Sequence, residues 1–504
     1  MLLLMAVLIS IMVQCRDEER ISLPYINVTV DNPTGTKLQT IGTEFDPHFF
    51  SQNVTQNASP ADWDIIVKRV TDMKMQSFRV MVLPEWYEPV NDNNDPSVTD
   101  WDRLTFNSRE MQSLYKVLDL AQQNDIRVTL VLWGCVKAMS AWSLLDPPYS
   151  SIPVHFLAEG SSNNEWCVAP KNVDEWCENF SILVQYLVST RGYTCIKEIT
   201  PMNEPSTPYH IEGTPMGYVD MCKKLDARFR ADNIRDKVLF NLSDDANDRT
   251  FLQTCTENLS EVADLFNSHT YGFGYQTPNT EMLRWEQANR QLTEAAGKKH
   301  FIGEFGSNQT VGATRQTDID LYERGILMTR IALNMLNAGA SGLSYWILMD
   351  LHYHKNFSYE GMQQLGLWRY KKEDYVSEPY FNTLQSDYEP RPQYYSYALL
   401  TQFIRPESDI YPVDLKNEFA AGTAFKNKDG KWTYVFANGT ASHLYIKLEN
   451  KQGNADGEYA VYQYIQNRLP AGDGMIQPTE NITVNGQKTE IIIQRQSVYV
   501  CQQK

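Results

Sequence analysis

Two glutamic acids occupy positions at which paired-carboxylate chemistry can be built. Glu204 stands in Ile199-Thr200-Pro201-Met202-Asn203-Glu204-Pro205 and Glu304 in Phe301-Ile302-Gly303-Glu304-Phe305-Gly306, each just beyond a run of strand character. Two carboxyl groups in one cleft, held in different protonation states by different surroundings, can divide the work: one protonates a leaving oxygen and the other attacks or stabilises the carbon it leaves. That division is what cleavage of a glycosidic bond requires. A gap of about 5 to 5.5 Å between the carboxyls would route it through a covalent intermediate with retention of configuration.

The two motifs together, Asn203-Glu204-Pro205 after one strand and Glu304-Phe305-Gly306 after a later one, resemble those of clan A glycoside hydrolases, in particular family five and its relatives. The resemblance covers most of the chain. It implies a barrel fold, no cofactor and a poly- or oligosaccharide substrate with a β-linked bond, and it makes Glu204 the acid/base and Glu304 the nucleophile. Arg79, in Phe78-Arg79-Val80-Met81, resembles the clan's strand-two arginine that bonds the nucleophile, and Asn203 is then the residue that bonds the sugar 2-hydroxyl. His269 and Tyr271, in Ser268-His269-Thr270-Tyr271, resemble the strand-six pair that reaches the acid/base and the nucleophile. Trp346, in Ser344-Tyr345-Trp346, is expected to stack on the sugar, as is Trp133, which with Gly134 departs from the His often found there in family five. Glu44, Asp46, Trp86, Glu88, Asp244, Asp245, Asp350 and His352 fall farther out on predicted rim loops. Such loops are polar in any soluble barrel, so most of these are not expected to touch substrate.

Positioning this set takes eight strands. Short β-branched or aromatic runs at 38–43, 77–83, 127–133, 196–201, 237–242, 265–270, 300–304 and 342–347 alternate with amphipathic segments of helical length, the pattern of βα units and a parallel sheet. Eight is the number at which such a sheet closes into a filled (β/α)8 TIM barrel. The two glutamates are about a hundred positions apart, or three units of roughly 33, so both fall at one rim of that barrel. Trp63, Ile66, Val67, Val70 and Met73 recur at helical spacing after a Ser59-Pro60 start signal. The stretch 134–172 is too long for a routine connection and reads as an active-site loop. A last helix is predicted over 391–405. Beyond it, segments at 419–425, 432–437, 443–448, 459–465, 489–494 and 497–501 alternate with Gly, Asn and Asp turns, as in a C-terminal antiparallel β-sandwich. The early strand 25–30 is expected to pair into it. The chain thus divides into a signal segment (1–15), an N-terminal extension (16–37), a catalytic barrel (38–405) and a sandwich (406–504).

Composition narrows the function classes. The 504 residues are 42% hydrophobic and 12% aromatic, enough for a large core, and carry a formal net charge of -17, which disfavours phosphate backbones and anionic lipid surfaces. No nucleic-acid partner is expected. The opening Met1–Gln14 run is of signal-peptide length and too short to span a bilayer. Cys15 and the charged residues after it resemble lipoprotein signals of Bacteroidetes, which implies a lipid on Cys15 and a cell-surface location; ordinary secretion is the alternative. The other cysteines show no CxxC pair and no His at metal-ligand spacing, so no metal is expected; an odd number cannot all pair, several should be buried thiols, and Cys167 with Cys177 is the one bridge weighed. Sequons at Asn53, Asn241 and Asn438 would matter only in a eukaryotic secretory host. Two competing classes remain: a non-catalytic carbohydrate-binding protein on a degenerate hydrolase barrel, and a barrel lyase or aldolase. The second lacks a Lys at any predicted strand end and lacks a His cluster.

Overall fold

Strands β2 (Ile41–Glu44), β3 (Ser77–Val82), β4 (Arg127–Leu132), β5 (Ile196–Thr200), β6 (Leu239–Asp245), β7 (Leu265–Thr270), β8 (Lys299–Phe305) and β9 (Leu343–Tyr345) pair in parallel in chain order, and β9 closes on β2. This computed structural model describes residues 24–47, 59–88, 91–132, 170, 172–206, 215–309, 316–352, 362–371, 387–485 and 488–504. Helices Pro60–Asp72, Arg109–Gln123, Val173–Val184, Pro215–Ala231, Arg249–Leu259, Asn279–Ala295 and Tyr322–Ala338 follow β2 to β8 in turn, and Pro392–Phe403 follows β9. Ser59 starts the first of these with a capping box, its hydroxyl taking the Asp62 N–H while the Asp62 carboxylate takes its own. Those helices cover a mostly apolar outer wall, broken by His300, which bonds Ser268 on β7 and Glu286 on the covering helix.

The strand boundaries differ from the sequence reading where backbone groups find other partners. β2 begins at Ile41 rather than 38, because the Leu38 and Gln39 N–H groups bond to Ser408 and Ser341. β9 stops at Tyr345 rather than 347, because Ile347 and Leu348 pair with the segment around Leu365 and Leu367. The inner floor of the barrel is polar: Glu198 accepts from Arg127, Thr129 and Asn241 at 2.9–3.1 Å. Asn241 is therefore buried, as is Asn438 in the second domain, and neither sequon is open to a glycosylating enzyme.

A short hairpin, β10 (Leu351–His352) with β11 (Met362–Gln363), sits after the barrel. The second domain packs a six-stranded sheet against a three-stranded one. The larger holds β12 (Asp409–Val413), β13 (Ala420–Lys426), β14 (Trp432–Asn438), β16 (Gly457–Tyr464), β17 (Glu480–Val484) and β19 (Ser497–Gln503). The smaller holds β15 (Leu444–Asn450), β18 (Thr489–Ile493) and, from the other end of the chain, β1 (Ile26–Val30), which runs parallel to β15. Its core is separate from the barrel's and is built on Trp432, Tyr434, Phe436 and Tyr459. The two domains are fastened by helix Tyr322–Ala338, whose Tyr322 hydroxyl donates to the Tyr464 and Gln496 carbonyls. Cys167, weighed as a bridge partner of Cys177, lies outside the described residues; Cys177 is a buried free thiol beside the Met221 carbonyl. Cys195, Cys222, Cys255 and Cys501 are likewise buried thiols.

Candidate active site

At the C-terminal rim the barrel gathers charges that the chain keeps apart. Arg79 rises from β3 into the centre and is 4% exposed. One of its terminal nitrogens donates to Glu304 Oε1 at 2.7 Å and to Glu44 Oε2 at 2.8 Å; the other donates to Asp244 Oδ2 at 2.7 Å and to Asn203 Oδ1 at 2.8 Å. A planar guanidinium is the side chain that can hold four acceptors in fixed directions. His269, fully buried on β7, lies between Glu204 Oε1 at 2.8 Å and Asp244 Oδ1 at 3.2 Å. The Tyr271 hydroxyl donates to Glu304 Oε2 at 2.6 Å.

The glycines of the seventh-strand motif have a steric role. A side chain at Gly303 would fall 2.3 Å from the Asn267 amide oxygen, and one at Gly306 would fall 2.9 Å from the Tyr271 ring. They let β8 approach β7 closely enough for Tyr271 to reach Glu304. Glu204 itself has φ of 45°, an unusual conformation for a residue with a side chain, and its N–H faces Asp244 Oδ2 at 3.4 Å. Such strain persists only where surroundings enforce it.

An oxygen of Glu204 and an oxygen of Glu304 lie within 4.8 Å of each other. That is the short spacing associated with covalent glycosyl transfer, and well under the roughly 6.5–9.5 Å that leaves room for a water between carboxyls. The two differ in surroundings. The Glu204 side chain is 26% exposed, whereas that of Glu304 is 6% exposed and roofed by its neighbours.

Charge balance follows from the geometry. Burial opposes a charge on His269, but Glu304 and Asp244 outweigh it and raise the imidazole to about 10. Burial likewise opposes the Asp244 carboxylate, yet Arg79 and His269 bring it down to about 2. Burial together with repulsion from Glu204 raises Glu304, against the pull of His269, Arg79 and the Tyr271 hydroxyl. Glu44 is pushed well above its ordinary range by complete burial, despite Arg79, and its Oε1 has no hydrogen-bond partner. Glu204, His269 and Glu304 also lie close enough to surround a metal ion. The set does not suit one, since a protonated His269 donating from both nitrogens offers no lone pair.

Of the residues singled out in the sequence, Arg79, Asn203, Glu204, His269, Tyr271 and Glu304 come together in this cluster. Trp346 follows β9 at the same rim, its N–H bonded to the Phe305 carbonyl and its side chain 9% exposed. Trp133 lies outside the described residues. Glu44 and Asp244, placed on the outer rim by the sequence, are instead the buried base of the cluster. The remaining acids are structural: Asp46 accepts from the Met81 N–H, Asp245 from Ser243 and Ser268, and Asp350 pairs with Arg391 at 2.7 and 2.8 Å.

No family model matches the sequence, and no curated protein matches it. Comparison of folds places the chain among barrel-and-sandwich structures of clan A glycoside hydrolases. A family 30 xylanase C catalytic domain from Talaromyces cellulolyticus is 15% identical, with a TM-score of 0.62 over 95% of this chain and 100% of that one. A family 30 subfamily 8 xylanase from Clostridium acetobutylicum is 12% identical, with a TM-score of 0.61 over 95% and 100%. An α-L-arabinofuranosidase from Thermotoga maritima, in complex with arabinose, is 11% identical, with a TM-score of 0.59 over 94% and 99%. At such identities the likeness is one of fold.

Proposed function

We propose that the protein is a retaining glycoside hydrolase that cleaves a β-linked bond of a poly- or oligosaccharide by double displacement. The observation that carries this reading is the pair Glu204 and Glu304, with oxygens within 4.8 Å across the mouth of one barrel, the buried member gripped by Arg79 and Tyr271. In the first step the Glu204 carboxylic acid protonates the glycosidic oxygen while a Glu304 oxygen bonds to the anomeric carbon and the leaving sugar departs. In the second a water attacks that carbon, Glu204 takes its proton, and the Glu304 ester bond breaks. Arg79 and Tyr271 donate only to lone pairs, so both bonds favour ionised Glu304. Asn203, whose side-chain oxygen is committed to Arg79, is oriented to meet the sugar 2-hydroxyl, a contact that strengthens in the transition state. Trp346 is assigned to stack on the sugar, and Trp133 is given the same role.

The substrate panel follows from the fold relatives, whose names carry xylan, arabinofuranoside and, in an endo-β1,6-glucanase, β-1,6-glucan. Proton NMR of early products on that panel and on aryl β-glycosides tests the proposal. The first anomer released should have the configuration of the bond cleaved, and Glu204→Ala and Glu304→Ala should both abolish turnover. Inverted product, or no cleavage of any member, would overturn it. An exported enzyme, secreted or held at the surface by a lipid on Cys15, fits this role, and loss of membrane association in Cys15→Ser checks the anchored form.

A further inference from the structure

A second group of buried acids lies on the same end of the barrel, outside the cluster around Arg79. Asp92, on the segment that follows β3, meets Glu175 and Glu178 from the first two turns of helix Val173–Val184. All three are buried, and each presents a carboxyl oxygen within 4.8 Å of the others. Asp92 and Glu175 are each 1% exposed, and each retains one buried oxygen, Oδ1 and Oε1, without a hydrogen-bond partner. A fourth acid, Glu88, adjoins them, accepting from the Asp92 N–H at 3.1 Å and from Asn179 at 2.8 Å. Arg228 stands 3.9 Å from Glu178 and is already bonded to Asp232, and Arg103 donates to the Asp92 carbonyl rather than to its carboxylate. Among the described residues, no Lys or Arg donates a hydrogen bond to the carboxyl of Asp92, Glu175 or Glu178. Stripped of solvent and partner, a carboxylate oxygen is costly to bury.

We propose that Asp92, Glu175 and Glu178 form a divalent-cation site, filled by Ca²⁺, that fastens the segment after β3 to helix Val173–Val184. The donor set is all oxygen, the choice of hard cations. Mg²⁺ keeps several waters and is held by only one or two carboxylates, whereas a cage of three or more protein carboxylates suits Ca²⁺. The orphan oxygens of Asp92 and Glu175 then gain the partner they lack. The sequence offered no hint of this site, because it has no His or Cys and its ligands are scattered from 92 to 178. Its role is to hold rim segments beside β3 and β4 in place, independently of what the barrel mouth cleaves.

The test needs no substrate. Full-length protein is exposed to 1–5 mM Ca²⁺, desalted and assayed for metal by mass spectrometry, and its thermal midpoint is read in EDTA, Ca²⁺ and Mg²⁺. One Ca²⁺ per chain and a midpoint several degrees higher in Ca²⁺ than in EDTA are expected, with a smaller rise in Mg²⁺. The Glu175→Gln, Glu178→Gln double variant should lose both the bound ion and the rise, while its midpoint in EDTA is no lower than that of the wild type, since two like charges are gone. No bound metal together with equal midpoints in EDTA and Ca²⁺ overturns the site, and this wild-type result stands whether or not the variant folds. A rise in Mg²⁺ equal to that in Ca²⁺ overturns the assignment of the ion.

Discussion

Two groups of buried acids sit at one end of the same barrel and are neutralised in opposite ways. Around Arg79, the chain supplies its own cations: Glu44, Asp244 and Glu304 all touch the guanidinium, and His269 adds a second positive charge. Around Asp92 it supplies almost none. The difference matches the two roles proposed for the clusters. A cluster that must ionise one carboxylate and work repeatedly on a neutral sugar is better served by fixed countercharges, which need not be recruited in each turnover. A cluster that only ties segments together can leave the countercharge to solution.

The largest expected effect falls on the first cluster. Glu304→Ala should lower kcat by more than about 10⁴-fold, beyond what removal of acid–base assistance alone costs, and azide should restore turnover as an inverted glycosyl azide. Failure of azide to restore any turnover would break the assignment of Glu304. Next, Arg79→Met removes one of the two cations that Asp244 and Glu304 face and should cost about 3–5 kcal/mol in urea unfolding. That sign is opposite to the neutral or stabilising effect expected for Glu178→Gln in EDTA. Equal destabilisation by both would erase the contrast between the clusters. Tyr271→Phe removes one hydrogen bond to a charged group, worth about 1.5–3 kcal/mol, so kcat/KM should fall roughly 10- to 150-fold with little change in the unfolding midpoint.

A pH profile reads the same charges without a substitution. Asp244 has a folded value lowered to about 2, so its stabilisation is complete above the unfolded value near 3.9 and is lost as pH falls toward 2. His269 has a folded value raised to about 10, so its stabilisation is complete below about 6.5 and is lost as pH rises through 10. Urea midpoints measured across pH should therefore show a plateau from about 4 to 6.5. Asp244→Asn should flatten the acid flank, and its persistence unchanged in that variant would reassign the titration.

How much of this was legible depended on whether a residue's role was local. The eight barrel strands could be found because each is an apolar run between turn signals, and β7 was read residue for residue as 265–270. Both strands missed in the second domain, Asp409–Val413 and Glu480–Val484, are the two edges of the six-stranded sheet. One contains Pro412 and the other is mostly exposed, and edge strands need neither a full set of N–H groups nor a buried face. Glu204 and Glu304 were legible from their strand-end motifs. Asp244 was not, since positive φ at Ser243 and Asp244, 76° and 52°, turns it beneath the rim, and nothing in its neighbours announces that turn. Glu44 was equally hidden: only the need of one buried Arg for several anions could have pointed to it.

The placement of β1 has a consequence for how the molecule is made. Ile26 aligns with Ile446, so one of the first strands synthesised waits for a partner more than four hundred positions downstream. The smaller sheet cannot be completed until the segment 444–450 has been made, and a fragment cut at the inter-domain junction would expose β15 as an open edge, prone to self-association. Beginning and end of the chain are thus a single folding unit, wrapped around the barrel that lies between them in sequence.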